Sequence, residues 1–148
     1  MVLTRPALPA DVTAVTDLVA RAFTHYTDRI GTEPGPMHFD YHHLINVEQV
    51  WVAEVEGLIV GTIVLIPEPD HLEIEVLAVS PEAQGAGIGA ALLDFAASRA
   101  RDLGLQRLQL HTNEHMTENI RYYPRQGFTE THRAMEDGYR RVFYTKAL

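Results

Sequence analysis

The chain has 148 residues, 46% of them hydrophobic and 22% charged, which suits one domain with a sizeable core. Its net charge of −8 argues against non-specific nucleic-acid binding, which depends on Lys and Arg meeting phosphates. Cysteine is absent, which excludes disulfides, thiolate metal sites and a cysteine nucleophile.

No run approaches the roughly 18 apolar residues of a membrane span. The opening "MVLTRPALPADV" lacks a basic-then-apolar signal pattern, and Pro6 and Pro9 interrupt it. The expectation is a cytoplasmic protein with no membrane partner. Eleven of the twelve basic residues are Arg, and Lys146 is the single Lys.

Val12, Val15, Leu18, Val19, Ala22 and Phe23 fall at helical spacing and predict the first helix. "THYTDRIGTEPGPMHFDYHHLI" reads as a loop leading into a short helix near Phe39–Ile45. "VWVAEVEG" and "LIVGTIVLI" flank a turn at Glu56-Gly57 and predict a hairpin. After the break "PEPD", the run "HLEIEVLAV" predicts a third strand. Alternation puts Leu72, Ile74 and Val76 on one face and Glu73, Glu75, Leu77 and Val79 on the other. Ile88, Ala91, Leu92, Phe95 and Ala96 form a helical stripe ending near Leu103, where Gly104 stops it. "LQRLQLHT" predicts a strand and "EHMTENIRYYPRQ" a shorter helix that ends at Gly127. "FTETHRAM" and "YRRVFYTKAL" predict a last hairpin around Asp137-Gly138. The middle is strand-helix-strand, so Leu72–Val79 and Leu105–Thr112 should lie parallel, with a right-handed crossover. The rest of the sheet should be antiparallel. The class is α/β (α+β), with a mixed, mostly antiparallel central sheet flanked by helices.

The densest signal is "SPEAQGAGIGAALLDF", with Gly85, Gly87 and Gly89 at a strand-to-helix junction. The first turn of a helix carries backbone N–H groups without partners and a partial positive charge. Glycines there remove the Cβ atoms that would hold an anion away. An acidic chain can bind a polyanion this way, because the donors are local backbone groups. A P-loop is excluded, since no Lys lies near. The dinucleotide pattern G-x-G-x-x-G/A is met formally by Gly85, Gly87 and Ala90. Against it, Ser80 to Gln84 separate the strand from the first glycine, and an antiparallel hairpin precedes the unit. A connector with no ligand is the remaining alternative.

Gln84-Gly85-Ala86-Gly87-Ile88-Gly89 fits Q/R-x-x-G-x-G/A, and "NIRYYPRQGF" places Tyr123 four residues before Gly127-Phe128. Both segments, in this strand order, resemble the GNAT superfamily of N-acetyltransferases. The resemblance implies that family's fold, with the sheet splayed open between strands 4 and 5 and a first strand near Val2–Arg5. It also implies acetyl-CoA as donor and direct transfer to an amine. By this resemblance the backbone of Gln84, Gly85, Ala86, Gly87, Ile88, Gly89 and Ala90 holds the pyrophosphate. The pantetheine lies along Leu77, Ala78 and Val79, and the Val79 N–H polarises the thioester carbonyl. Many family members have Asn seven residues before the Tyr, where this chain has Met116. Asn113 and Asn119 flank it, and Asn119 is the chosen substitute.

Tyr123 is the candidate acid, since a free phenol, with a pKa of about 10, is protonated at neutral pH. Tyr122, about 100° round the helix, is assigned to packing. Glu75 matches the family's strand Glu and is the candidate base, with Glu73 second. His111 is third, at the spacing where a branch acting on protein N-termini has a catalytic Glu, and its imidazole titrates near neutrality. In "HFDYHH", His38 and His42 sit one helical turn apart, but no fourth metal ligand is apparent. That stretch, with Tyr26, Phe39, Tyr41 and Tyr139, is a candidate acceptor wall, against plain packing. Glu73, Glu75, Glu114 and Glu118 form a candidate negative rim favouring a cationic amine. The expected acceptor is a small amine or a peptide N-terminus, and a homodimer is plausible for so small a domain. Two readings stand as alternatives: a non-catalytic acyl-CoA sensor and a dinucleotide-binding oxidoreductase.

Overall fold

The computed structural model describes all residues, Met1–Leu148. Seven strands run β1 (Leu3–Pro6), β2 (Val50–Val55), β3 (Leu58–Pro67), β4 (Leu72–Val79), β5 (Arg107–Asn113), β6 (Thr129–Glu136) and β7 (Tyr139–Ala147). The helices are α1 (Val12–Phe23), α2 (Thr27–Ile30), α3 (Tyr41–Asn46), α4 (Ile88–Asp102) and α5 (Thr117–Arg125). One sheet has the order β1-β2-β3-β4-β5-β7-β6, and β4–β5 is its only parallel pair. The last hairpin folds back so that β7, not β6, lies against β5. No helix is long and apolar enough to cross a membrane.

Each face of the sheet carries its own core. The α1 stripe buries Val15, Leu18, Val19, Ala22 and Phe23 on one face, together with Tyr41 and Ile45 of α3. On the other, α4 buries Ile88, Leu92, Leu93, Ala96, Ala97 and Ala100. Both stripes follow the 3.6-residue period, which is why the sequence locates both helices.

The sheet is splayed. β4 and β5 pair over three positions, Leu72↔Leu108 to Ile74↔Leu110, and then diverge. Beyond Ile74, β4 keeps its partner β3 on one edge and has none on the other. The Ser80 N–H donates to the Val60 carbonyl at 2.8 Å. Antiparallel pairs alternate, so Ala78 turns its N–H toward β3, while Leu77 and Val79 turn theirs into the gap.

Strict alternation along β4 does not hold. Val64 pairs with Val76 but Leu65 with Ile74, so Glu75 is an extra residue, a β-bulge. Leu72 and Ile74 therefore join the α4 core, whereas Val76 and Ala78 join the α1 core. Leu77 and Val79 pack back on the α4 side. An inserted residue leaves no mark on the pattern of letters, so the sequence alone misassigns Val76, Leu77 and Val79 relative to Leu72 and Ile74.

Two boundaries also move. The expected loop after α1 is partly helical, and the next helix begins at Tyr41 because the Asp40 carboxylate accepts the His43 N–H at 3.1 Å. β5 starts at Arg107, not Leu105, because the Leu105 N–H is spent on the Ala100 carbonyl closing α4. Leu92 of α4 is fully buried. Leu92→Ala should cost about 2–5 kcal/mol in urea unfolding. Leu58→Ala, at a 70% exposed position, should stay within about 0.5 kcal/mol. Equal losses at the two positions would contradict this core.

Candidate active site

Two cavities meet at the splay. A long cleft is lined by the 83–90 loop, the end of β4 and α5. An inner pocket is lined by the 34–39 segment, β4, β5 and β7. Phe23, Leu77, Asn119 and Tyr123 line both.

The loop between β4 and α4 is built to present donors. The N–H groups of Gln84, Gly85, Gly87, Ile88, Gly89 and Ala90 have no backbone partner. Gly85 and Gly87 adopt φ of +85° and +81°, which a side chain strongly disfavours, and both face open space. Gly89 is helical and answers a different need. A Cβ there would lie 2.7 Å from the Tyr122 hydroxyl. Gln84 reaches back, its Nε2 donating to the Val79 carbonyl at 3.4 Å. Salt bridges and hydrogen bonds from Arg21 and Ser80 to Glu82 hold the loop entrance.

Most of the expected donor-site residues come together here: Leu77, Ala78, Val79, Gln84, Gly85, Gly87, Ile88, Gly89, Ala90, Asn119 and Tyr123 line the cleft. Ala86 does not, and its N–H donates to the Ala83 carbonyl at 3.3 Å. Ala78 contributes no free N–H, for the register reason above. Asn119 sits at the junction, its Nδ2 donating to Thr112 Oγ1 at 3.0 Å, while the Asn113 side chain is spent accepting the His115 N–H. Tyr122 packs against Tyr123 and also lines the cleft beside Gly89. Arg121 and Arg125 also line it, a helical i, i+4 pair the sequence reading passed over. The two banks are tied together by Tyr26 and Arg29, which donate to Glu118 at 2.8 and 2.6 Å.

Tyr123 is buried in an aromatic cluster with Tyr122, Phe128 and Tyr144. No protein group hydrogen-bonds its hydroxyl, and burial pushes its pKa above the ordinary value of 10. It is therefore a firmly protonated phenol at the junction of both cavities.

Glu75 and His111 face the inner pocket, and Glu73 stands beside them, with one ligand-type atom from each within 4.8 Å of the others. Burial acts oppositely on the two residue types. It raises both carboxyls, Glu73 to about 7, and lowers His111 to about 4 with help from Arg141. The expectation that His111 titrates near neutrality is thus corrected: desolvation penalises the imidazolium. Glu73 is held by His71, whose Nε2 lies 3.0 Å away and whose Nδ1 lies 2.6 Å from Asp70.

The negative rim is also revised. Glu114 lies 3.7–3.8 Å from Arg140 and Arg133, and Glu118 is paired with Arg29. Phe39 and Tyr139 do line the pocket; Tyr26 lines the cleft instead, and Tyr41 lies beneath, donating to the Pro36 carbonyl at 2.6 Å. His38 and His42 do not converge: His38 lies near Glu33 and His42 near Asn46. Nothing in the cleft supports a dinucleotide turn, because a 3₁₀ turn at Pro81–Ala83 separates β4 from Gly85.

Residues 13–128 match the model of the acetyltransferase (GNAT) family, and the chain belongs to that family. An amino-acid acetyltransferase of Mycobacterium tuberculosis is 42% identical over 88 residues, covering 57% of this chain and 48% of the relative. A mycothiol acetyltransferase of Geodermatophilus obscurus is 42% identical over 57 residues, covering 38% of this chain and 18% of the relative. The chain thus spans about half or less of the length of these curated relatives. The fold matches PaiA N-acetyltransferase of Thermoplasma acidophilum, solved with coenzyme A, with a TM-score of 0.82 at 16% identity, covering 100% of this chain and 99% of that one. A GNAT acetyltransferase of Elizabethkingia anophelis with acetyl-CoA bound gives 0.74 at 21% identity, covering 99% and 98%.

The Gly89–Tyr122 contact is testable by a double-mutant cycle. Gly89→Ala makes the Tyr122 ring move aside and should gain less thermal stability than helix propensity alone gives, and adding Tyr122→Phe should release that gain, since the next nearest atom, Tyr122 Cζ, is an ordinary 3.6 Å away. The double variant should match or exceed Tyr122→Phe by up to about 1 kcal/mol, because Ala is the better helix former. Strict additivity would refute the contact. Glu73 supplies a pH test. Its folded-state pKa of about 7 lies above the ordinary 4.5, so its contribution is fully present below 4.5 and lost as pH rises through 7. Glu73→Gln should gain roughly 2 kcal/mol over the parent near pH 8, and nothing near pH 4.5, in urea unfolding. A gain independent of pH would show that the carboxyl is not perturbed.

Proposed function

We propose that the chain is an N-acetyltransferase that passes acetyl from acetyl-CoA directly to an amine. The observation that carries this reading is the Tyr123 hydroxyl, unpaired, at the junction of a donor-rich cleft and an inner pocket lined by a perturbed carboxyl. The residues present fit the donor. The free N–H groups of the 83–90 loop, with Arg121 and Arg125 nearby, suit a pyrophosphate. The unpaired edge at Leu77 and Val79 suits an extended amide chain added as a strand.

Acetyl-CoA supplies a thioester, whose carbonyl carbon accepts the amine and whose sulfur leaves. The N–H groups of Leu77 and Val79 point into the gap to stabilise charge on the carbonyl oxygen, a role that preorganised donors perform without reorganisation. Glu75 takes the amine proton as the nitrogen–carbon bond forms. Tyr123 gives its phenolic proton to the sulfur as the carbon–sulfur bond breaks. Glu75 suits its role because burial lifts its pKa toward the working range. His111, depressed to about 4, stays neutral and serves as a hydrogen-bonding wall.

Release of free CoA thiol in the presence of an amine panel tests the reading. Tyr123→Phe and Glu75→Gln should each lower kcat by about 100-fold or more. Unchanged turnover in both would sink the mechanism. CoA at 100 times its Kd should stabilise the protein by about 2.7 kcal/mol, and NAD(P) should not.

A further inference from the structure

The inner pocket contains one cation. Arg141 of β7 lines it together with Glu75, and its side chain is only 17% exposed. Its Nη1 donates to Glu136 at 2.9 Å and lies 3.7 Å from Asp137. The bond to Glu136 is its one side-chain hydrogen bond, so Nε and Nη2 have no protein partner, and neither is fully buried. Those two atoms form the edge of a guanidinium that grips a carboxylate side-on through two N–H···O bonds. Two other arginines spend that edge on the chain's own carboxylates. Arg5 sets Nε and Nη2 on Glu54 at 2.8 and 2.6 Å, and Arg133 sets them on Glu130, both at 3.1 Å. Arg141 leaves it without a protein partner, on a residue that lines the pocket.

Arg141 is also held in place beforehand. Glu136 anchors one end of the fork, and the Tyr139 ring lies 5.7 Å from the guanidinium carbon. Tyr139 in turn donates to the Glu33 carbonyl at 2.8 Å, which ties β7 to the segment roofing the pocket. The register puts Arg141 opposite Asn113, past the last β4–β5 pair, where the sheet is open. Phe23, Ile30, Pro36, Phe39 and Met116 give the pocket an apolar side. One free carboxylate-binding edge, one base and an apolar wall form a single recognition set.

We propose that the acceptor is an α-amino acid with an apolar side chain. Its carboxylate takes the Nε/Nη2 edge of Arg141, its amine faces Glu75, and its side chain packs on the apolar wall. This rests on the acetyltransferase reading of the same site. A polycation is disfavoured, because the rim carboxylates Glu114 and Glu118 already lie against arginines.

The test follows CoA release with leucine and phenylalanine against their carboxylate-free counterparts, isoamylamine and phenethylamine, with leucinamide and spermidine alongside. Each amino acid should exceed its counterpart in kcat/KM by about 10-fold or more, the worth of a charge-assisted hydrogen-bonded pair. Arg141→Gln should bring that ratio close to one, mainly through KM for the amino acid. Arg141→Lys, which keeps the charge but not the fork, should fall between. Equal or better use of the amines or spermidine by the parent, or a ratio unmoved in Arg141→Gln, overturns the proposal and leaves the acetyltransferase reading standing. If Arg141→Gln does not fold, as judged by its melting curve, the parent ratio and Arg141→Lys decide. If no amine releases CoA above hydrolysis, the acetyltransferase reading fails. Calorimetric titration of leucine then decides for the site: binding lost in Arg141→Lys sustains it, and no binding to the parent overturns it.

Discussion

Everything in this molecule turns on one local departure from a rule of sheets. Backbone N–H and C=O groups at a sheet's centre are paired on both edges, because burying them unpaired is costly. Here β4 and β5, the two central strands, stay together for three positions and part. The second half of β4 is thereby a central strand with one bare edge. The long cleft and the inner pocket meet at that opening and share a wall in Phe23, Leu77, Asn119 and Tyr123. The glycine loop continues the same theme, since its donors are backbone groups with no partner in the fold. An acidic chain can thus present a locally anion-seeking surface of backbone donors, with Arg121 and Arg125 beside it.

The bulge at Glu75 is the second element of the arrangement. It switches the strand from one hydrophobic core to the other at the place where the sheet opens. The same residue is presented to the pocket, where desolvation dominates its titration. A single physical cause sorts the three neighbouring groups. Loss of water raises Glu73 and Glu75 and lowers His111, so all three are pushed toward neutrality. The surroundings, more than the residue types, set which group is basic.

The helical and strand periodicities and the glycine motif made the order of most elements along the chain, the parallel pair and the loop legible from the letters, whereas the β5-β7-β6 order of the sheet was not. The resemblance to the GNAT family supplied the splay. What the sequence concealed were facts of close approach. A bulge adds a residue without altering any pattern. The role of Gly89 depends on Tyr122, thirty-three positions away and on another helix. Glu114 and Glu118 looked like a negative rim until the fold set Arg29, Arg133 and Arg140 against them. His111 looked like a neutral-pH base because its burial cannot be read from a strand's edge position. Arg141 was one of eleven arginines, and only the pocket distinguished it.

The link from the Tyr139 hydroxyl to the Glu33 carbonyl divides the protein's labour between parts of the chain. The segment it fastens supplies Pro34, Gly35, Pro36 and Phe39 to the inner pocket and nothing to the long cleft. The 83–90 loop does the reverse. The two walls are therefore separable modules on one frame. Insertions or exchanges between α2 and α3 can remodel one chamber while the other keeps its shape. A lineage built on this scaffold has a route to new specificities that leaves its shared chemistry in place.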